Sequence, residues 1–209
     1  MKMKIKICGI TNTRDALCVL KQGADFFGLV FYPKSPRNMS LEQAKEIIDF
    51  LKKEGFASPP AIGVFVDEET SLVTHYAKTL ELFAVQLHGK ETPEYCQKIP
   101  ARIIKAFRIK NPEDMGAIGQ FDSWAYLCDA YDPHLHGGTG KRIDASLVSP
   151  YITEHRIFLA GGLTPKNISH ALSLVRPFAV DVSSGVEISP GIKDPGKIEA
   201  FIQAVRKLE

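Results

Sequence analysis

The 209-residue sequence has neither a strong charge bias nor a long apolar run. Its formal net charge is only +2 and no stretch is rich in lysine or arginine, which argues against nucleic acid or an anionic membrane as a partner. The longest apolar runs, such as residues 26–32, are far too short to span a bilayer. No apolar signal segment opens the sequence, so we expect a cytoplasmic protein.

Cysteine is scarce, and its spacing excludes two common uses. Cys8, Cys18, Cys96 and Cys128 show neither the close pairs of a zinc site nor the density of a disulfide-linked scaffold. We therefore expect free thiols in a reducing compartment. A G-x-G-x-x-G motif is also missing after the first predicted strand, which argues against a dinucleotide-binding fold.

Strand-like and helix-like segments alternate along the whole chain. Strands are predicted at residues 5–8, 27–31, 62–66, 84–87, 103–107, 125–128, 157–159 and 178–182. Helices are predicted at residues 13–21, 41–54, 68–78, 93–97, 112–117, 165–174 and 195–207, with a weak one after Asp144. Eight such units favour an α/β fold of parallel strands closed into a (β/α)8 TIM barrel, with residues 1–209 as a single domain.

The first strand carries a cysteine at its carboxyl end. Side chains alternate along a strand, so Ile5 and Ile7 share one face while Lys6 and Cys8 share the other. In a closed barrel Cys8 then points inward, at the end where barrel enzymes hold their catalytic groups. A lone cysteine is more often a small buried apolar residue, and that alternative stays open here.

Three further strands end in polar residues that share a face. Gln86 and His88 end the fourth strand, Asp129 follows the sixth, and Asp181 lies near the end of the eighth. Each has a structural alternative: His88 as a hydrogen-bonding residue, Asp129 as a cap or ion-pair partner, and Asp181 as an acceptor that orders a loop. His88 lacks the additional ligands at other strand ends that a metal-dependent epimerase needs, so we expect no metal.

Two glycine-bearing loops follow the seventh and eighth strands, where barrel enzymes usually bind phosphate. The first contains Gly161 and Gly162, and the second is Ser183-Ser184-Gly185. Glycine lets backbone N–H groups approach an anion closely. Gly161-Gly162 alone could be a plain turn, but the two loops together favour a phosphate site.

The loop after the second strand carries Arg37 between stiffening prolines, Pro33 and Pro36. A guanidinium offers a planar pair of donors that suits a carboxylate. A lone loop arginine is more often a solvated surface charge, yet the prolines would hold this one over the barrel.

Several motifs in this sequence occur together and in order. They are Lys6–Thr11, Ser35–Asn38, Gln86–Gly89, Gly137–Gly140, Ala160–Pro165, and Asp181–Glu187 with Pro190-Gly191. Together they resemble the phosphoribosylanthranilate isomerase family of tryptophan biosynthesis over nearly the whole chain. One departure is Ile143-Asp144-Ala145, where the family usually has an aromatic pair around the aspartate. It concerns packing beneath the sixth helix and not the catalytic residues.

The resemblance implies an Amadori rearrangement with Asp129 as general acid and Cys8 as general base. Asp129 would protonate the furanose ring oxygen and Cys8 would remove the C2 proton, so the pKa of Asp129 must rise and that of Cys8 must fall. Arg37 would bind the anthranilate carboxylate and the glycine-bearing loops the phosphate. We expect three further residues to bind substrate: Gln86, His88 and Asp181.

The resemblance also implies a phosphorylated small-molecule substrate, no cofactor, and a monomer or homodimer. One rival is the histidine-pathway isomerase, which performs the same rearrangement on a substrate with two phosphates. That family has aspartate at the position of Cys8 and tends to show half-barrel repeats, neither of which occurs here. The other rival is a non-catalytic barrel that binds a phosphorylated ligand, which would have lost Cys8 or Asp129.

Overall fold

Eight parallel strands close into a barrel in the computed structural model, which describes residues 2–109, 112–129 and 145–208. The strands are β1 (Lys4–Cys8), β2 (Phe26–Phe31), β3 (Ala61–Phe65), β4 (Ala84–Leu87), β5 (Ile103–Arg108), β6 (Ala125–Asp129), β7 (Ile157–Ala160) and β8 (Ala179–Val182). They lie in sequence order, and β8 pairs with β1 to close the barrel. The predicted TIM barrel is therefore confirmed, with strand ends that differ from prediction by at most one residue.

Helices connect successive strands on the outside of the barrel. The α-helices are α1 (Thr13–Lys21), α2 (Leu41–Lys53), α3 (Thr70–Thr79), α4 (Pro93–Gln97), α5 (Ile168–Leu174) and α6 (Pro195–Arg206). In the described parts of the connections after β5 and β6, the helical segments are 3-10 helices, at Pro112–Gln120 and Ala145–Tyr151. Gly116, Gly119 and Pro150 lie in these two segments, and both residue types disfavour a regular α-helix.

Alternation along the strands separates two apolar layers. Outward-facing residues pack against the helices, whereas the barrel interior is filled by a second cluster: Phe26, Ile62, Ala84, Ile104, Ala106, Ala125, Leu127, Phe158, Ala160 and Ala179. Cys8 belongs to a separate small cluster with Val30 and Val64. Apolar packing therefore closes the barrel interior and leaves the carboxyl ends of the strands for polar groups.

A short hairpin follows β8, and its position matters for the site. Its antiparallel strands are β9 (Glu187–Ser189) and β10 (Ile192–Lys193). Gly137–Gly140 and the departure at Ile143 and Asp144 lie outside the described residues. Among those that are described, no helix has the length and apolar character needed to cross a membrane.

Candidate active site

Polar side chains from four strands meet at the carboxyl end of the barrel, which we call the mouth. Cys8 and Asp129 are the last residues of β1 and β6, while Gln86 and Asp181 lie within β4 and β8. Lys6 Nζ joins the latter two, since it donates to Gln86 Oε1 at 2.9 Å and to Asp181 Oδ2 at 2.9 Å. Barrel closure thus brings together residues that are 175 positions apart in sequence.

Cys8 is 9% exposed, and its sulfur lies against Gly28 of β2. A side-chain carbon on Gly28 would lie 2.6 Å from Cys8 Sγ, so the glycine leaves the room that the thiol occupies. Burial raises the pKa of the Cys8 thiol, and the positive charges of Lys6 and Lys193 oppose that rise. The direction is opposite to the one we expected, because desolvation of the thiolate outweighs both cations.

Asp129 has the perturbed acidity that a general acid requires. Burial, followed by the negative charge of Asp181, raises the pKa of Asp129 from 3.8 to about 6, while Arg108 opposes the rise. Its Oδ1 atom is buried and has no hydrogen-bond partner among the described residues. Its Oδ2 atom lies 3.9 Å from His88 Nε2. One carboxyl oxygen is therefore available to a ligand in the mouth.

His88 is a neutral hydrogen-bonding residue in this arrangement. Burial, together with the charge of Lys6, lowers the pKa of His88 from 6.5 to about 4. Gln86 Oε1 accepts from Lys6, so its Nε2 donates to His88 Nδ1 at 2.9 Å, which leaves the imidazole proton on Nε2 and facing Asp129. Across the described ranges, no three His, Cys, Asp or Glu side chains form a metal-binding group.

Arg37 lies directly above the turn that follows Cys8. Its Nε and Nη2 atoms donate to Glu187 Oε1 at 2.8 Å and Oε2 at 2.6 Å. Lys193 Nζ donates to Glu187 Oε1 at 2.8 Å and also to the backbone oxygen of Cys8 at 2.5 Å. Gly9 has a φ of +76° and lies under the Arg37 side chain. The hairpin after β8 therefore fixes Arg37 and the end of β1 together.

The loops after β7 and β8 contact each other, as expected for one anion site. Gly161 and Gly162 have φ values of +100° and +58°, and no described residue accepts a hydrogen bond from their backbone N–H groups. Gly185 packs so closely on the Leu163 carbonyl that no side chain fits there. Ser184–Val186 forms a short 3-10 turn beside them. Two backbone donors thus remain available for an anion.

The turn before α5 stabilises the first of these loops. Thr164 N donates to Asn167 Oδ1 at 2.8 Å, and Asn167 N donates to Thr164 Oγ1 at 3.3 Å. Asn167 Nδ2 also donates to the Gly162 oxygen at 2.9 Å. This turn delays the helix, which was predicted from residue 165, so that it begins at Ile168.

A family model described as N-(5'phosphoribosyl)anthranilate (PRA) isomerase matches residues 5–204. The chain belongs to this isomerase family. The N-(5'-phosphoribosyl)anthranilate isomerase of Geobacter sp. (strain M21) is 47% identical over 208 residues, which cover 98% of each chain. Of the two rivals, the histidine-pathway isomerase is therefore set aside.

Solved structures of phosphoribosylanthranilate isomerases agree with this assignment. The crystal structure of the Thermotoga maritima isomerase has a TM-score of 0.89 and 44% identity, with 98% of this chain and 99% of that chain covered. Another isomerase structure, in complex with reduced 1-(o-carboxyphenylamino)-1-deoxyribulose 5-phosphate, has a TM-score of 0.84 and 40% identity over 98% of this chain and 99% of that one.

A cleft of about 1170 Å³ lies at the opposite end of the barrel. Its lining includes Trp124, Arg156 and Phe178, which directly precede β6, β7 and β8, respectively. Cys8 and Asp129 do not line it. In isomerases built on this barrel the chemistry belongs to the carboxyl ends of the strands, so we assign the active site to the mouth.

Sequence reasoning missed several residues of the mouth. It placed Lys6 on the same face as Cys8 but gave it no role, and it did not foresee that Glu187 and Lys193 hold Arg37. A buried lysine two positions before the cysteine was the available signal, because a buried cation needs a partner. Nothing local in sequence identifies Glu187 as the partner of a residue 150 positions away.

Proposed function

We propose that the chain catalyses the Amadori rearrangement of N-(5-phosphoribosyl)anthranilate to 1-(2-carboxyphenylamino)-1-deoxy-D-ribulose 5-phosphate, a step of L-tryptophan biosynthesis. Membership of the isomerase family supports this reaction. The observation that carries it is the placement of the Cys8 thiol and the Asp129 carboxyl as the last residues of β1 and β6, at the same end of one closed barrel. An acid and a base flanking one sugar are what the reaction requires.

Asp129 acts first, as the acid that opens the furanose ring. It donates its proton to the ring oxygen, the C1–O bond breaks, and the anilino nitrogen lone pair forms a C1 iminium. The shift of its pKa from 3.8 to about 6 raises the protonated fraction at pH 7 from about 0.06% to about 9%. The environment of Asp129 thus makes the acid form roughly 150 times more abundant.

Cys8 acts second, as the base that removes the C2 proton. The C–H electron pair forms the C1–C2 double bond and the C1–N π pair returns to nitrogen, which gives an enolamine. C1 then gains a proton as the 2-hydroxyl loses one, and the ketone results. Burial opposes the thiolate, whereas Lys6 and Lys193 favour it. The iminium formed in the first step adds a third positive charge next to the reacting carbon.

The substrate is held at both ends in this proposal. Arg37 binds the anthranilate carboxylate, for which its Nη1 atom is open, since no described residue accepts a hydrogen bond from it. The N–H groups of Gly161 and Gly162 and the loop Ser183-Ser184-Gly185 bind the phosphate. Asp181 Oδ1, which has no hydrogen-bond partner among the described residues, accepts a hydrogen bond from a sugar hydroxyl.

Gln86 and His88 complete the proposed substrate site. The His88 Nε2 proton faces the mouth beside Asp129, where it can donate to a substrate oxygen. Gln86 fixes the orientation of that imidazole. The steps move protons only, so we expect no cofactor.

We also propose that residues 1–209 form one catalytic domain of a cytoplasmic protein, as a monomer or a homodimer. A Thermotoga maritima relative, 41% identical, is described as a dimeric isomerase from which monomers were generated. Size-exclusion chromatography with light scattering of the purified chain would decide between the two states.

A fluorescence assay tests the proposed function directly. Purified protein is mixed with N-(5-phosphoribosyl)anthranilate, and the loss of substrate fluorescence is followed for the parent, Cys8→Ser and Asp129→Asn. We expect both variants to lose at least about 100-fold in kcat, because each removes an acid–base group. Cys128→Ser is the matched control, since this buried thiol contacts Met115 on the helix side of β6. A parent without turnover, or a Cys8 or Asp129 variant as active as Cys128→Ser, would refute the assignment.

A further inference from the structure

Lys6 is a charged residue in a place where charge is costly. Its side chain is 0% exposed and lies inside the barrel. An ammonium is tolerated there only with close partners, which are Asp181 Oδ2 and Gln86 Oε1, each at 2.9 Å. The β1–β8 register sets Lys6 beside Asp181, so barrel closure itself creates the ion pair.

The ammonium retains one donor that these partners do not use. Lysine has three N–H groups; Gln86 and Asp181 accept from two of them, and the Cys8 thiol lies within hydrogen-bonding reach of the same ammonium. Cys8 is the next inward residue on the same strand, and Gly28 keeps its sulfur inside the mouth. The mechanism described above does not otherwise require a lysine at this position.

Building on the proposed function, we propose that Lys6 is a positioning residue that serves as the counter-ion of the Cys8 thiolate during C2 deprotonation. Lys6 transfers no proton: the C2 proton passes to the sulfur, and the ammonium only stabilises the negative charge that the sulfur carries beforehand. Asp181 and Gln86 hold the ammonium in place, so that it does not move away or lose its own proton.

Several other charged groups face the thiol, and Lys6 is the strongest of the favourable ones. Lys6 comes directly after burial among the influences on the Cys8 pKa, ahead of Asp181, which opposes it, and Lys193, which assists it. The Arg37 guanidinium also interacts with Cys8 from the loop after β2. Asp129 and His88 face the same mouth from β6 and the end of β4.

The test measures the thiol itself and does not depend on turnover. Cys8 alkylation by iodoacetamide is followed against pH in ligand-free protein, with peptide mass spectrometry separating Cys8 from the other cysteines. We expect Lys6→Met to raise the thiol pKa by about one unit and to slow alkylation at pH 8 about tenfold. With N-(5-phosphoribosyl)anthranilate, kcat should fall at least about tenfold with little change in KM.

A second variant protects the test against misfolding. Lys6→Met alone leaves Asp181 as an unpaired buried charge, whereas Lys6→Met/Asp181→Asn removes both charges. The double variant should also raise the thiol pKa, because the lysine influences it more strongly than the aspartate does. The matched control is Lys105→Met/Glu91→Gln, which removes another buried ion pair (2.8 Å) and should leave the thiol unchanged.

The outcomes separate this proposal from the proposed function. If the folded Lys6 variants, or the double variant where the single one fails to fold, titrate like the parent, the counter-ion role is wrong even if the parent is an active isomerase. The counter-ion role is also wrong if the control, Lys105→Met/Glu91→Gln, shifts the pKa of the Cys8 thiol as much as the Lys6 variants do. A parent that does not turn over phosphoribosylanthranilate overturns the function, while the thiol titration still reports on Lys6.

Discussion

Replacing Asp129 by asparagine should stabilise the folded chain at pH 8 while it removes catalytic activity. The pKa of this carboxyl rises from 3.8 to about 6 on folding, so the folded state favours the protonated form. Above pH 6 the native site must hold an ionised carboxylate that it solvates poorly, which costs folding free energy. The cost shrinks as the pH falls from about 6 towards the unfolded value of 3.8, and it disappears only well below that value, where the carboxyl is protonated in both states.

The size of this effect follows from the shift. About two pKa units correspond to about 3 kcal/mol in the limit of full burial. The Asp129 side chain is 23% exposed, so solvent screens part of that cost and we expect about 1–2 kcal/mol at pH 8. For a chain of this size such a gain raises the melting temperature by about 2–8 °C.

The assay is thermal or urea unfolding of the parent and Asp129→Asn at pH 4 and pH 8. Asp25→Asn is the matched control with the opposite sign. The pKa of Asp25 is lowered, despite its burial, by hydrogen bonds from Lys4, Arg206 and Ile5. Its ionised form therefore stabilises the fold above the unfolded pKa, and that contribution is lost as the pH falls through the lower folded value. Asp25→Asn should consequently destabilise the protein at pH 8.

The reasoning fails if Asp129→Asn is no more stable than the parent at pH 8. It also fails if the variant gains as much stability at pH 4 as at pH 8, since the benefit would then come from packing and not from charge. A gain confined to the higher pH, together with lost turnover, would mean that the acid is kept at the expense of stability.

Two further predictions concern the base and the carboxylate site. Gly28→Ala forces Cys8 Sγ away from a 2.6 Å contact, and because displacements of about 1 Å can cost about 100-fold, kcat should fall about 10- to 100-fold. Gly63→Ala is the control, because its new side chain would lie equally close to Leu82 on the outer face of the barrel. It should cost about 1–3 kcal/mol of stability and leave kcat within about twofold. Equal losses of kcat in the two variants would contradict the prediction. Arg37→Ala leaves Glu187 paired with Lys193 at 2.8 Å, and it should raise KM about 10- to 100-fold through loss of a charge-assisted contact. An unchanged KM in steady-state assays would reject the carboxylate role.

Periodicity was sufficient to predict where the catalytic candidates lie. Alternation in β1 and β6 puts Cys8 and Asp129 on the inward face at the ends of their strands, and the structure has both there. The order of strands and helices predicted the barrel for the same reason, because it depends on local patterns. The chemistry of ring opening requires that the Asp129 pKa rise, and burial, followed by the charge of Asp181, raises it.

Long-range pairing could not be predicted in the same way. Lys6 meets Asp181 only because β8 closes on β1 in one particular register, and Arg37 meets Glu187 only because a hairpin folds back over the mouth. The direction of the Cys8 pKa depends on how completely its surroundings exclude water, which no local pattern reports. Such quantities are properties of the closed barrel and not of any segment.

In the proposed mechanism, the order of the two chemical steps explains how a poorly ionised thiol can act as the base. Asp129 keeps a usable protonated fraction near neutral pH, so ring opening can begin while Cys8 is still mostly a thiol. That step creates a cationic iminium at C1, adjacent to the carbon whose proton Cys8 removes. Negative charge on the sulfur is then opposed by burial but favoured by Lys6, Lys193 and the iminium together. The acid step therefore prepares the base step, and a site that stabilised the thiolate fully at rest would gain little from it.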